Sequence, residues 1–155
     1  MQMHTPHPSA ASSPADVKDP GTEEEVIAYV QKCVRDSIDG VNARRLERSD
    51  STFHFVAPDF KQISAQPLDI DEFIRLLKAH CQNYPEFYVR CMDINTDLDM
   101  KRNTALVYYN TETTGAPPGV TRPAWSSCEF RKVDGRWQQI WAKTMHGPAH
   151  AGFNP

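Results

Sequence analysis

Residues 125–146, WSSCEFRKVDGRWQQIWAKTMH, decide the fold class of this 155-residue chain. They contain two runs rich in aromatic and β-branched residues, and Asp134-Gly135 joins the two runs. An Asp-Gly pair between such runs is a strong signal for a two-residue turn. The stretch therefore predicts a β-hairpin with antiparallel strands over 125–133 and 137–146.

Two more long strands are predicted immediately before this hairpin. Residues 87–98 and 104–113 are likewise rich in aromatic and β-branched residues, and turn-forming residues follow them at 97–103 and 115–119. Four consecutive strands joined by turns form an antiparallel meander. A short additional strand is predicted earlier in the chain, over 60–64.

Two amphipathic helices are predicted ahead of the four strands. The first begins with Thr22 and Glu25, which have the spacing of a capping box, and we expect Gly40 to weaken or end it. The second is capped by Asp69 and ends at Pro85. Helices first and strands last indicate an α+β fold, in which the N-terminal helices pack in a curved, mostly antiparallel sheet.

The distribution of aromatic residues divides the chain into segments, because none of the 15 precedes Tyr29. Residues 1–20 contain four prolines and almost no large apolar side chain. This composition predicts a disordered N-terminal arm. Residues 21–148 are predicted to form one domain, and residues 149–155 a C-terminal tail.

Composition and charge narrow the possible partners and compartment. The net charge of -3 gives no reason to expect binding to nucleic acid or to an anionic membrane. The chain has no run of 18 apolar residues and no apolar segment typical of a secretory signal, and its four cysteines form no CxxC pair. We therefore expect a cytoplasmic protein with free thiols. No clustered metal ligands or nucleotide-binding motif is present, so we expect neither a metal nor a cofactor.

The order of these elements resembles the NTF2-like superfamily, and within it the SnoaL-like proteins. The resemblance spans residues 22–147. It is carried by the opening helix, the Ala-Pro-Asp-Phe turn at 57–60, the helix over 73–84 and the closing hairpin FRKVDGRW at 130–137. It implies a cone-shaped α+β barrel with a pocket between sheet and helices, and commonly a homodimer through the sheet's outer face. The family includes binding proteins and enzymes, so the fold does not decide the function.

Three residues are the catalytic candidates for proton transfer in such a pocket. His146 ends the last strand, where SnoaL-like enzymes resemble one another in carrying an essential acid, although an aspartate would be more usual there; the alternative is an exposed strand end. His54 lies among aromatic residues, as a pocket acid or base, as a hydrogen-bonded core residue or as an exposed side chain. Tyr109 could donate to a ligand carbonyl if its side of the strand faces inward. If the other side does, Tyr108 takes that role.

Five further residues are assigned to the substrate pocket: Asp59, Tyr84, Tyr108, Trp125 and Trp141. Asp59 has the alternative of accepting backbone hydrogen bonds in its turn. The two tryptophans have the alternative of packing in the core or in a dimer interface. Cys128 and Phe130 are expected to face inward, which puts Glu129 on the outer face.

Three hypotheses about function follow from this reading. The first is a cofactor-independent lyase or isomerase, of the dehydratase or cyclase type, that acts by proton transfer on a small hydrophobic carbonyl compound such as a secondary metabolite. The second is a non-catalytic protein that binds a small ligand or serves as a protein adaptor, which a fully apolar cavity would favour. The third is an interaction module that makes its contacts through the arm.

Overall fold

A computed structural model describes residues 20–148 and 150–151 of the chain. Nearly all of the predicted arm and most of the predicted tail lie outside these residues. The elements in chain order are α1 (Glu23–Asn42), β1 (Val56–Ile63), α2 (Ile70–Asn83), β2 (Tyr88–Asp99), β3 (Thr104–Thr114), β4 (Val120–Val133), β5 (Arg136–His146) and β6 (His150–Ala151).

The strands of the described residues form one sheet of six strands. Their spatial order is β1-β5-β4-β3-β2, and β6 pairs with β4. Strands β2 to β5 form the antiparallel meander that the sequence predicts. Strand β1 lies parallel to β5 at the edge of the sheet. The α+β fold, with two helices packed in a curved and mostly antiparallel sheet, is therefore confirmed.

The hairpin between β4 and β5 has the predicted two-residue turn. Asp134 and Gly135 both have positive φ, 51° and 79°, which a type I′ turn requires of its two central residues. Strand β4 begins at Val120, five residues before the predicted start at Trp125. The earlier start follows from pairing, because residues 120–124 continue the ladder alongside β3.

Both helices begin at the predicted capping residues. The Thr22 hydroxyl accepts from the Glu25 backbone N–H at 3.1 Å, and the Glu25 carboxylate accepts from the Thr22 N–H at 3.2 Å. This pair of bonds is a complete capping box. At the start of α2, the Asp69 carboxylate accepts from the Glu72 N–H at 2.8 Å. Each cap satisfies backbone donors that the helix itself leaves unpaired.

Of the two predicted effects of Gly40, it does not end the first helix, because α1 continues to Asn42. Its role is close packing. A Cβ placed on Gly40 would lie 1.9 Å from Oγ1 of Thr52, whose side chain is fully buried. The glycine is therefore explained by the approach of the segment before β1, which crosses the helix at this point.

Gly40→Ala is expected to lower the free energy of unfolding by about 1–3 kcal/mol. The overlap with Thr52 outweighs the gain in helix propensity, which is about 1 kcal/mol. Urea denaturation measures the change. Gly21→Ala is the matched control: nothing lies within 4 Å of a Cβ there, so its effect is expected to stay within about 0.5 kcal/mol. Equal stability of the two variants would contradict the packing role of Gly40.

The hydrophobic core lies between the helices and the inward face of the sheet. Helix α1 packs against β2, and α2 packs against β1. Cys128 and Phe130 are fully buried, as predicted. Glu129, between them, accepts a hydrogen bond from the Trp141 indole at 3.0 Å on the outer face. Neither described helix is long and apolar enough to span a membrane.

Candidate active site

A cavity of about 530 Å³ lies between the two helices and the sheet. Its size suits a small organic molecule. It is lined by Ser37, Ile38 and Val41 of α1; Phe73, Leu76, Leu77 and His80 of α2; Gln62, Val89, Tyr109, Thr111, Thr113, Arg122, Ala124, Ser126, Thr144 and His146 of the strands; and Phe53, Leu68, Phe87 and Ala116.

The strand residues of the cavity follow the two-residue period of a β-strand. On β3 the lining residues are Tyr109, Thr111 and Thr113; on β4 they are Arg122, Ala124 and Ser126; on β5 they are Thr144 and His146. Successive side chains of a strand point to opposite faces, so all of these belong to the inward face. The sheet therefore supplies most of the polar wall of the cavity, whereas the helices supply mainly apolar side chains.

His80 is the one imidazole that α2 contributes to this cavity. It lies in the last turn of the helix, and its ring packs edge-on against Phe87 with centroids 4.6 Å apart. Its pKa is lowered, first by burial, then by His146, then by the positive charge of Arg44. The Arg44 guanidinium is held in place by the carbonyl oxygens of Val41, Pro85 and Phe87, at 2.7–3.0 Å.

His146 lies at the end of β5, on the cavity wall. The residue is exposed, as its alternative predicts, although it borders the cavity; its partial burial lowers its pKa, and the positive charge of Arg122 lowers it further. Both imidazoles are therefore neutral at pH 7, and a neutral imidazole can accept a proton. The unfolded chain binds these protons more tightly than the folded chain does, because folding lowers both pKa values. The stability that the two histidines contribute is therefore present above pH 6.5, the ordinary pKa of histidine. It is lost as the pH falls through the lowered pKa values.

Tyr109 lies on the cavity wall beside a row of hydroxyl groups. Burial raises its pKa, and a side-chain hydrogen bond links it to Ser126. The Ser126 hydroxyl is 2.9 Å from that of Thr144 on the neighbouring strand. The three residues face one another across β3, β4 and β5. A phenol with a raised pKa stays protonated at neutral pH, so Tyr109 can donate a hydrogen bond to a bound molecule.

Arg122 brings a permanent positive charge to the cavity wall. Its Nε is buried and has no hydrogen-bond partner within the described residues. No Asp or Glu is among the residues that line the cavity. Within residues 20–148 and 150–151, no group of three His, Cys, Asp or Glu side chains is arranged to hold a metal ion.

The cavity contains two of the three predicted catalytic residues, His146 and Tyr109, but not His54. The Nδ1 of His54 is 2.6 Å from the Ser51 carbonyl oxygen, and its ring packs edge-on against Phe55. His54 is thus held by its own turn. The inward orientation of Tyr109 also decides between the two tyrosines, since Tyr108 is on the outer face.

The five predicted pocket residues lie outside this cavity wall. Tyr108 and Trp125 face outward, with 47% and 53% of each residue exposed, and Trp141 is on the same outer face. These three assignments were wrong because the two-residue period puts the neighbours Tyr109, Ala124 and Ala142 inward. Asp59 is exposed on β1, and Tyr84 follows α2 with its ring 5.1 Å from that of His80.

Sequence reasoning missed His80 and Arg122 as cavity residues. The signal for His80 is present, because Phe73, Leu77 and His80 follow the helical period and share one face of α2. The signal for Arg122 is weaker. It becomes a strand residue only when the pairing of residues 120–124 with β3 is known.

Comparisons with known proteins place the fold. No protein-family model and no curated protein matches this sequence. Among solved structures, the hexachlorocyclohexane dehydrochlorinase LinA-type3 of Novosphingobium barchaimii aligns with a TM-score of 0.70 at 12% identity, covering 84% of this chain and 94% of that one. A putative scytalone dehydratase of Novosphingobium aromaticivorans aligns at 0.65 and 12% identity, covering 83% and 89%.

A third similar structure is a putative dehydratase from the NTF2-like family, from Streptomyces avermitilis. It has a TM-score of 0.65 and 14% identity, and the alignment covers 79% of this chain and 96% of that one. At these identities the comparisons establish the architecture alone. The chain has the NTF2-like fold.

Proposed function

We propose that this protein is a cofactor-independent lyase or isomerase that moves a proton on a small, largely hydrophobic carbonyl compound. The observation that carries the proposal is that two imidazoles with lowered pKa values, His80 and His146, line the same cavity as the protonated phenol of Tyr109. Similarly folded proteins described as a dehydrochlorinase and as putative dehydratases support this class of reaction.

The proposed reaction begins with removal of a proton from the carbon next to the carbonyl group. A neutral imidazole accepts this proton, while the Tyr109 hydroxyl donates a hydrogen bond to the oxygen that becomes negative. The positive charge on one histidine disfavours protonation of the other, since each protonation opposes the next. One histidine therefore carries the proton at a time and returns it to another atom of the substrate or to the leaving group.

Apolar groups suit the rest of the substrate. Phe73, Leu77 and Phe87 line the cavity opposite the polar strand wall, so a ring or short hydrocarbon body can pack there. A wholly apolar cavity would have favoured a protein that only binds its ligand. The polar wall of this cavity supports the enzymatic alternative instead.

Deuterium incorporation tests the proposal without knowledge of the natural substrate. Cyclic and aryl ketones, such as 2-tetralone and 4-phenyl-2-butanone, are incubated with the protein in D₂O at neutral pH and followed by ¹H NMR. We expect loss of the signal of the protons next to the carbonyl group, faster than with an equal concentration of the heat-unfolded chain. If neither these ketones nor keto acids of similar size exchange faster with the folded protein, the proposal is wrong.

We also propose that the protein forms a homodimer through the outer face of the sheet. Tyr108, Trp125 and Met145 are large apolar residues on this face, and each is about half exposed. Trp125 and Met145 are direct partners across β4 and β5. Exposed apolar clusters of this kind are typical of interfaces. A cytoplasmic location remains part of the proposal and is supported by four unpaired thiols.

Trp125→Glu is expected to convert the dimer into a monomer, because it places a charge in the middle of the apolar cluster. Light scattering coupled to gel filtration measures the mass of the species. Val133→Glu, at an exposed position beside the β4–β5 turn, is the control and should leave the mass unchanged. A wild-type mass of 17.6 kDa at high protein concentration would contradict the dimer.

A further inference from the structure

Arg122 is a cation on the cavity wall, and it has no anionic partner among residues 20–148 and 150–151. Unlike Arg122, five cations of the described residues form ion pairs with carboxylates at the surface. They are Lys32, Lys78, Arg90, Arg102 and Arg131. Within the part of the chain that the structure describes, the Nε of Arg122 is buried without a hydrogen bond. Burying a donor of a charged group without a partner is unfavourable, so a negative charge beside the rest of the guanidinium would offset part of this cost.

The surroundings of Arg122 strengthen its positive potential. Arg44, the second cation near the cavity, is held by three carbonyl oxygens rather than by an acid. The pKa of each cavity imidazole is lowered by burial first, and arginine charge contributes to each shift. Among the described residues that line the cavity, none is a carboxylate that would offset these charges. An anion that enters is therefore attracted more strongly than a neutral molecule of the same shape.

We propose that the molecule bound in this cavity carries a carboxylate, which Arg122 holds through the two terminal nitrogens of its guanidinium. The planar guanidinium matches a carboxylate with two parallel hydrogen bonds. The apolar side chains of the helices would then receive the hydrocarbon part of the same molecule. This inference names the substrate class of the proposed reaction. It rests on the proposed function only where it says that the bound carboxylate is converted, because binding of the carboxylate can be measured by itself.

The inference also predicts that binding takes up protons. A carboxylate beside Arg122 offsets the charge that acts on His146, so the pKa of this histidine rises when the ligand binds. A histidine that gains proton affinity in the complex can serve as the acid that returns the proton to the substrate. Calorimetry in two buffers with different ionisation enthalpies measures this uptake.

Matched pairs of ligands test the inference on the wild-type protein. The probes are benzoate, 3-phenylpropanoate and octanoate, each compared with its uncharged amide by titration calorimetry at low salt. We expect at least one carboxylate to bind about tenfold or more tightly than its amide, as a charge-assisted pair of hydrogen bonds implies. Equal binding of every acid and its amide, or no carboxylate binding at millimolar concentration, would overturn the inference.

Substitution of Arg122 identifies the group responsible. Arg122→Gln is expected to abolish the preference for the carboxylate, and Arg122→Lys to retain part of it through charge alone. Arg136→Gln, which removes one exposed positive charge outside the cavity lining, is the control and should retain the full preference. If Arg122→Gln unfolds the chain, the comparison of each acid with its amide on the wild type and on Arg122→Lys still tests whether Arg122 binds a carboxylate. A preference retained by a folded Arg122→Gln variant overturns the assignment.

The two proposals fail in different experiments. Deuterium exchange of ketones without any preference for carboxylates would support the proposed reaction and contradict the inference that the substrate carries a carboxylate. A clear preference for carboxylates without exchange of any ketone or keto acid would support that inference and contradict the proposed reaction. In that case the cavity is a binding site for organic acids rather than an active site.

Discussion

Replacing His80 by Gln is expected to lower the rate of deuterium exchange by about 10²–10⁴-fold, the contribution of a positioned acid or base. Gln keeps the approximate size and polarity of the side chain but cannot accept the proton. The His80 ring packs on those of Phe87 and Tyr84 and makes no side-chain hydrogen bond within the described residues, so the substitution removes chemistry more than structure. Exchange followed by ¹H NMR gives the rates, and thermal unfolding verifies that the variant is folded.

His54→Gln is the matched control for this experiment. Both substitutions remove one half-buried imidazole from an aromatic neighbour, but His54 lies outside the cavity wall and is bonded within its own turn. The His54 variant should retain the wild-type exchange rate. A His80 variant that is folded and exchanges within about twofold of wild type would show that His80 does not move the proton.

The second large effect is expected at Gly115, where Gly115→Ala should lower the free energy of unfolding by roughly 2–5 kcal/mol. This range adds about 1–2 kcal/mol for a Cβ in the left-handed region to about 1–3 kcal/mol for overpacking. Gly115 has φ +82°, and a Cβ there would lie 2.1 Å from the Glu86 carbonyl oxygen. This contact is with backbone atoms, so no side-chain rotation can relieve it.

Gly119→Ala separates the two contributions. Gly119 has φ +81°, nearly the same as Gly115, but nothing lies within 4 Å of its Cβ position. It should therefore lose only about 1–2 kcal/mol, from conformation alone. Chemical denaturation measures both variants. Equal losses at the two glycines would show that the approach of the β3–β4 loop to Glu86 does not matter for stability.

Local sequence signals predicted most of the fold. The capping residues Thr22 and Asp69, the Asp134-Gly135 turn and the strand texture all act over a few residues, and the structure has each of these elements. The parallel pairing of β1 with β5 joins segments far apart in the chain, so no local pattern reveals it. Gly40 was misjudged for the same reason, because its partner Thr52 lies beyond the end of the helix.

The candidate site was only partly predictable because the sequence does not say which face of a strand is inward. A period of two fits Tyr108 or Tyr109 equally well, and burial of Val107 and Cys128 decides for Tyr109. His146 became a candidate through the resemblance to SnoaL-like enzymes, which carry an acid at the end of this strand. His80 became a candidate only when the fold brought α2 and the end of β5 to the same cavity.

The most direct test of the central claim is the titration of the two cavity histidines by NMR, with His80→Gln and His146→Gln used to assign their ring signals. We expect both to titrate below pH 6.5, the ordinary value. We also expect His146→Gln to raise the pKa of His80, since His146 is one cause of its lowered value, and Arg122→Gln to raise the pKa of His146. Ordinary pKa values for both histidines that none of these substitutions changes would contradict the shared cavity on which the proposed reaction depends.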